Sequence, residues 1–259
     1  LAIIAKRKIR FFENFILAMT IGPFAVRNDA QGKGLGKMLM QGIESLSKKL
    51  SVELLYLVGI KGFYKSLGFE TLMERSKIVI CKKELPNDSR STVKPFECQY
   101  KEDLIKCYET LAAQSNFSSV RSLDDWDWLL RHATQSYYFH HPHVVLNENG
   151  KFVGYFTNDA KNPGRLREAS YSFESQDIHT FLSGLLNYTN FHQIDNLEIM
   201  TFPNSPLHKY LKQSFNFSFV KLHNADGGQM IKGMNAVITE KLHMNTFNRR
   251  PFIFQGDNF

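Results

Sequence analysis

The sequence predicts an α/β fold, of the α+β kind with mixed sheets, used in two tandem copies. Three observations predict it. Over residues 1–84, apolar runs of strand length alternate with helical spacing in the order strand, glycine loop, helix, strand, short helix, strand. From Arg167 onward the order strand, helix, strand, short helix, strand returns, without a close residue-level repeat. Between the two, LPNDSRSTVK has the Pro, Asn, Asp and Ser content of a linker. The expected division is therefore 1–84 for the first copy, 85–94 for the linker, 95–240 for the second copy and 241–259 for a C-terminal tail.

Ile16 to Val26 reads as a buried strand that stops at the turn cluster Arg27-Asn28-Asp29. Behind the glycine loop, Leu35, Leu39, Ile43, Leu46 and Leu50 recur at spacings of one helix face, which predicts a core stripe. VELLYLV at 52–58 is a second strand, GFYKSLGF at 62–69 a short helix with Gly68 as its left-handed cap, and 77–82 a further strand. If Leu1 to Arg10 is a strand, Lys6, Lys8 and Arg10 share a solvated face.

In the second copy, 102–113 is an amphipathic helix, and Ser122 with Asp125 forms a capping box ahead of Trp126 and Trp128. A hairpin is expected over 143–156 around Asn149-Gly150, a pair suited to a type I′ turn. Then follow a strand at 167–173, a helix at 178–191, a strand at 197–202, a short helix at 206–213, and strands at 217–222 and 230–238.

Of 259 residues, 43% are hydrophobic and 22% charged, a globular balance that excludes disordered, collagen-like and coiled-coil chains. Cys81, Cys98 and Cys107 show no metal or disulfide spacing, so a reducing, cytoplasmic setting is expected. No apolar run reaches the roughly 18 residues of a membrane helix. The net charge of +7 comes from dispersed lysines without aromatic interleaving, so neither nucleic acid nor membrane is expected as a partner, and self-association is left open.

The chemistry points to the loop Gln31-Gly32-Lys33-Gly34-Leu35-Gly36-Lys37. A strand feeding a glycine-rich turn and a helix aims several backbone N–H groups at one place, beside the positive end of the helix dipole. Each N–H to phosphate bond is worth on the order of 1.5–3 kcal/mol, and Lys33 and Lys37 add charge at the rim. The spacing fits neither a P-loop, which needs four residues between its glycines and then Lys-Ser/Thr, nor a dinucleotide fingerprint.

The pattern Gln31-x-x-Gly34-x-Gly36, preceded by Phe24-Ala25-Val26 and followed by Gly62-Phe63-Tyr64-Lys65-Ser66-Leu67-Gly68-Phe69, resembles the GNAT superfamily of N-acetyltransferases. The resemblance implies acetyl-CoA as cosubstrate: the backbone of Phe24, Ala25 and Val26 pairs with the pantetheine arm. Gln31, Gly32, Lys33, Gly34, Leu35, Gly36 and Lys37 wrap the pyrophosphate, and Phe63 and Tyr64 approach the thioester. Acetyl transfer to an amine expels a thiolate of pKa ~8.5–9, which a hydroxyl of pKa ~10 can protonate, so Tyr64 is the candidate acid. An ordinary packed tyrosine is the alternative.

The second copy carries Glu174-Ser175-Gln176-Asp177 where the first has its glycine loop, and two acids there would repel a pyrophosphate. Arg121-Ser122, Asp125-Trp126, Val153-Gly154-Tyr155-Phe156 and Gly228-Gln229-Met230 together resemble the tandem-domain acetyltransferases of the enhanced-intracellular-survival type. That subgroup implies amine acceptors such as aminoglycosides, though too few residues follow Thr239 for the sterol-carrier-like domain some members carry. The fold implies roughly 50 further residues ahead of the glycine loop, so the first copy is expected to be N-terminally truncated. The competing functional reading is a non-catalytic module that keeps the fold and binds CoA or a protein. His140, His141 and His143 flank Pro142 but lack a ligand at a useful offset, so no metal is expected.

Overall fold

The computed structural model describes residues 1–73, 76–87, 90–132, 140–159, 161–172, 177–201, 206–214, 217–221, 228–244 and 251–252. These form two seven-stranded mixed sheets. The first copy runs β1 (Ala2–Phe11), β2 (Asn14–Phe24), α1 (Leu35–Lys49), β3 (Leu54–Gly59), α2 (Lys61–Lys65), β4 (Glu70–Met73) and β5 (Ser76–Cys81). Then come β6 (Thr92–Pro95), α3 (Lys101–Ala113), β7 (Phe117–Ser119), α4 (Leu123–Arg131), β8 (His140–Leu146), β9 (Phe152–Asp159) and β10 (Asn162–Tyr171). The chain closes with α5 (Asp177–Phe191), β11 (Asn196–Thr201), α6 (Pro206–Ser214), β12 (Ser218–Lys221), β13 (Gly228–Gly233), α7 (Ala236–Met244) and β14 (Pro251–Phe252).

The sheet orders are β14-β7-β1-β2-β3-β13-β4 and β12-β5-β11-β10-β9-β8-β6. In both copies an antiparallel pair leads through a helix to a parallel strand: β1, β2, α1, β3 and β9, β10, α5, β11. The last strand of each copy, however, leaves its own sheet. β5 lies between β11 and β12, and β13 lies between β3 and β4. The strands are therefore not divided between the sheets as the chain is divided at residue 84.

Other elements differ from expectation for identifiable reasons. α1 buries Met40, Ile43 and Ser47, while Leu35, Leu46 and Leu50 are exposed. Ser47 is small enough for close approach to the sheet, and its hydroxyl donates to Met19 Sδ at 3.2 Å, which rotates the buried face away from the leucine stripe. Part of the segment of linker composition is edge strand β6, and Leu85 and Ser91 are buried. Only Gly150 has positive φ in the β8–β9 turn, with its N–H bonded to Asn147 O at 2.9 Å; the turn is the longer type closed by one left-handed glycine, rather than a type I′ pair. β13 stops at Gly233, and Ile238 and Leu242 of α7 join the first core.

Asp125 ties the copies together, and Arg121 braces the second copy from within. Arg121 donates both ends of its guanidinium to Glu168 at 2.9 and 2.8 Å, lies over the rings of Tyr108 and Trp126, and is buried with its partner. Asp125 accepts from Arg7 of β1 at 2.8 Å and closes the capping box with Ser122, so its carboxyl is held below the usual range by those bonds against the opposing effect of burial. Asp127 pairs with Lys101. Among the described residues no helix is long and apolar enough to cross a membrane.

Candidate functional site

The site begins where two parallel strands part. β2 and β3 are paired from Ala18↔Leu54 to Ile21↔Leu57 and no further. Ile21 stands opposite Ile4 but Phe24 opposite Ala2, so β2 holds one residue more than β1 in the stretch containing Gly22 and Pro23. Such a bulge bends the strand, and Pro23 has no N–H for the ladder.

Beyond the bulge, Leu1 and Ala25 exchange both backbone hydrogen bonds at 2.9 Å. Alternation along an antiparallel strand then turns the N–H and C=O of Phe24 toward the gap. Of the three residues expected to offer backbone to a ligand, Ala25 is occupied by Leu1. The Val26 carbonyl accepts from Gln31 Nε2 at 3.2 Å. β2 ends at Phe24, two residues earlier than its apolar run suggests.

The glycine loop covers the open end. Gly32 and Gly34 have φ of 76° and 75°, and Gly34 is the N-cap of α1. A side chain there would strain the backbone, although a Cβ on either would meet nothing within 4 Å. The first helical bond is Met38 N–H to Gly34 O, so the N–H groups of Leu35, Gly36 and Lys37 have no acceptor among the described residues. Gln31 also donates to Asn28 Oδ1, and Lys33 Nζ to Asp29 O at 3.0 Å, which bind the loop to its own turn. No acid lies in the first turn of α1, and Lys37 is exposed.

α2 forms the facing wall. A Cβ on Gly36 would stand 3.1 Å from the ring of Phe63, and ring centroids of Phe24 lie 6.1 Å from Phe63 and 6.0 Å from Tyr64. The Tyr64 ring packs on Gly59, where a Cβ would come within 2.2 Å of it. Tyr64 is 6% exposed, its hydroxyl has no hydrogen bond among the described residues, and burial raises its pKa. The structure thus brings Phe24, Gly36, Phe63 and Tyr64 together, with Gln31 to Lys37 at one end.

Two residues of this region were not expected. Gly59 admits the Tyr64 ring. Gln229 of β13 pairs with Val58, is fully buried, and has no hydrogen-bond partner for either amide atom among the described residues. Its neighbour Met230 packs in the cluster of Tyr64, and Ile231 in that of Tyr56. Strand alternation therefore places Gln229 on the face opposite Tyr64 and α1. The late glycine-glutamine-methionine triplet was visible in the sequence, but its place beside Gly59 was not.

The second copy keeps the bulge, with Leu166 opposite Asn158 and Glu168 opposite Thr157. Its helix α5 opens on buried Asp177, bonded to Ser172 Oγ, so a carboxylate sits where α1 has a bare N-terminus. Glu174, Ser175 and Gln176 lie outside the described residues, as do the side chains of His140 and His141. His143 stacks on Phe156, and no group of metal-binding side chains is found among the described residues.

A family model for the acetyltransferase (GNAT) domain matches residues 4–71. No curated protein matches the sequence. Among solved structures, a probable N-acyltransferase of unknown function from Enterococcus faecalis is 17% identical with a TM-score of 0.67, covering 90% of this chain and 58% of its own. A GCN5-related N-acetyltransferase from Anabaena variabilis is 15% identical with a TM-score of 0.70, covering 92% and 60%. Eis1 from Mycobacterium abscessus is 11% identical with a TM-score of 0.62, covering 90% and 61%. The chain thus spans about three fifths of the length of these proteins. Residues 4–71 thus match the GNAT acetyltransferase domain, and the chain has, across both copies, the fold of these solved N-acetyltransferase structures.

Proposed function

We propose that the protein is an acetyl-CoA-dependent N-acetyltransferase acting on a primary amine, in a reducing, cytoplasmic setting. The observation that carries this reading is the parting of β2 and β3, with helix N–H groups that have no acceptor among the described residues at one end of the gap and Tyr64 packed against Phe24 in its wall. The open space over Gly32 and Gly34 suits a pyrophosphate, and Phe24 offers the backbone pair for the pantetheine arm. The amine nitrogen attacks the thioester carbon, the C–S bond breaks, and the departing sulfur takes the Tyr64 proton. The proton shed by the amine returns to the phenolate through solvent.

Because burial raises the Tyr64 pKa, the phenol stays protonated at neutral pH, as an acid requires. Tyr64→Phe is expected to lower kcat about 100-fold with CoA affinity unchanged, read by thiol release over an amine panel and by calorimetry. Wild-type turnover by the variant would refute the acid. CoA binding without turnover of any amine by the native chain would mark a non-catalytic module.

An amine reaching a thioester in the gap must come from the face that α1 leaves free, and Gln229 lies there. We assign its carboxamide to the acceptor side. Gln229→Leu removes an unsatisfied buried group and is expected to add about 1 kcal/mol of stability, or roughly 2–4 °C in Tm. The amine KM should rise about tenfold with CoA affinity unchanged. A stabilised variant with native KM would reduce Gln229 to a packing residue.

A further inference from the structure

Away from the glycine loop, the second sheet carries a cavity of about 540 Å³ between edge strand β6 and the C-terminal end of α5. This is the size of a small-molecule site. Its walls are rings. Tyr188 is buried, His143 stands edge-on to it at 5.1 Å between centroids, His192 is 4.4 Å from it, and Phe191 rims the opening at 82% exposure. Among the described residues no Lys, Arg, Asp or Glu lines the cavity.

Its polar groups come from the edge of β6. Phe96 N–H donates to Pro142 O at 2.8 Å, and the register Pro95↔His143, Lys94↔Val144, Val93↔Val145 continues from that pair. Alternation then points the backbone of Ser91, Val93 and Pro95 away from β8, out of the sheet. The Ser91 carbonyl already takes a partner on this edge, the planar amide of Asn187 of α5, at 2.8 Å. Val93, two residues on, lines the cavity, and its N–H and C=O have no partner among the described residues.

We infer that this cavity binds an uncharged planar nitrogen heterocycle whose edge carries a donor beside an acceptor. The Val93 carbonyl receives the donor, as the Ser91 carbonyl does from Asn187 Nδ2, and the Val93 N–H gives to the acceptor, while Tyr188, His143 and Phe191 cover the ring. An added peptide strand fits the edge less well. Pro95 has no N–H, the Ser91 carbonyl is taken, and Val93 alone would be left to pair.

Adenine, as its 9-methyl derivative, is the probe, with the corresponding N6,N6-dimethyl compound, which has no N–H donor left, as its control; both are titrated by ligand-observed NMR and calorimetry. Adenine is expected to bind at least tenfold more tightly than the dimethyl compound. Val93→Pro removes the outward N–H and exchanges a partly buried valine for another apolar side chain; it should erase that difference with a cooperative thermal transition retained. Phe191→Ala should weaken adenine at least fivefold. Equal binding of both compounds, no saturation at millimolar adenine, or binding untouched by both variants would overturn the assignment. So would self-association of the chain, by sedimentation, that Val93→Pro abolishes.

Discussion

Replacing Gly34 by Glu is expected to abolish CoA binding while leaving the fold in place. Two effects act on this one position. Gly34 has φ of 75°, where a side chain costs roughly 1 kcal/mol. The larger effect is charge. A carboxylate about 4 Å from a bound phosphate, at an effective dielectric near 20, opposes it by about 4 kcal/mol. The strain falls on the fold, whereas the charge amounts to a loss of affinity approaching a thousandfold, since each 1.4 kcal/mol is a factor of ten. The space around Gly34 is open, so the new side chain meets no protein atom at Cβ and the core is undisturbed. Gly34→Asn separates the effects. Asn tolerates the left-handed backbone and is uncharged, so it should cost no more than about tenfold. Calorimetry with CoA, beside a thermal melt of each variant, reads both. Native affinity in Gly34→Glu would remove the loop as the phosphate site, and equal losses in both variants would make the effect steric.

The loop was legible because its information is local. Gly32, Gly34 and Gly36 set a backbone path within seven residues, and Gly68 and the Ser122–Asp125 box likewise act within one turn of their helices. The α1 face was not read correctly because periodicity weighs Leu46 and Leu50 above Ser47, although the small residue is the one that can approach the sheet. β6 is polar and short, as edge strands are, and so resembles a linker. The places of Gly59 and Gln229 in the site were not legible, for another reason. The first matters because a ring from the next helix lies on it, the second because β13 returns to β3 from the far end of the chain. No pattern within either segment encodes such a meeting.

That return makes the two copies one folding unit, and separating them at residue 84 should unfold both. Among the described residues of the first sheet β4 pairs only with β13, and β13 pairs with β3 over its whole length, from Gly228↔Gly59 to Gly233↔Leu54. Among those of the second sheet β12 pairs only with β5. A fragment of residues 1–84 therefore loses the strand that joins β4 to its sheet, together with fully buried Met230 and Ile231. A fragment of residues 85–259 loses Ile78 and Ile80, also fully buried. Two such side chains are worth roughly 3–6 kcal/mol, and the lost ladder bonds and exposed edges add to that. Against a typical stability of 5–15 kcal/mol, neither piece should retain a cooperative melt. Mixed, or expressed together, they should form a one-to-one complex with a single transition. The complex should bind CoA and residues 1–84 alone should not, although every loop residue lies in that piece. A cooperative, CoA-binding fragment of residues 1–84 would show instead that the exchanged strands decorate two independent sheets. Reconstitution is the stronger half of the test, because an unfolded fragment alone has many causes, whereas recovery of binding on adding a piece without the loop has the strand exchange as its physical basis.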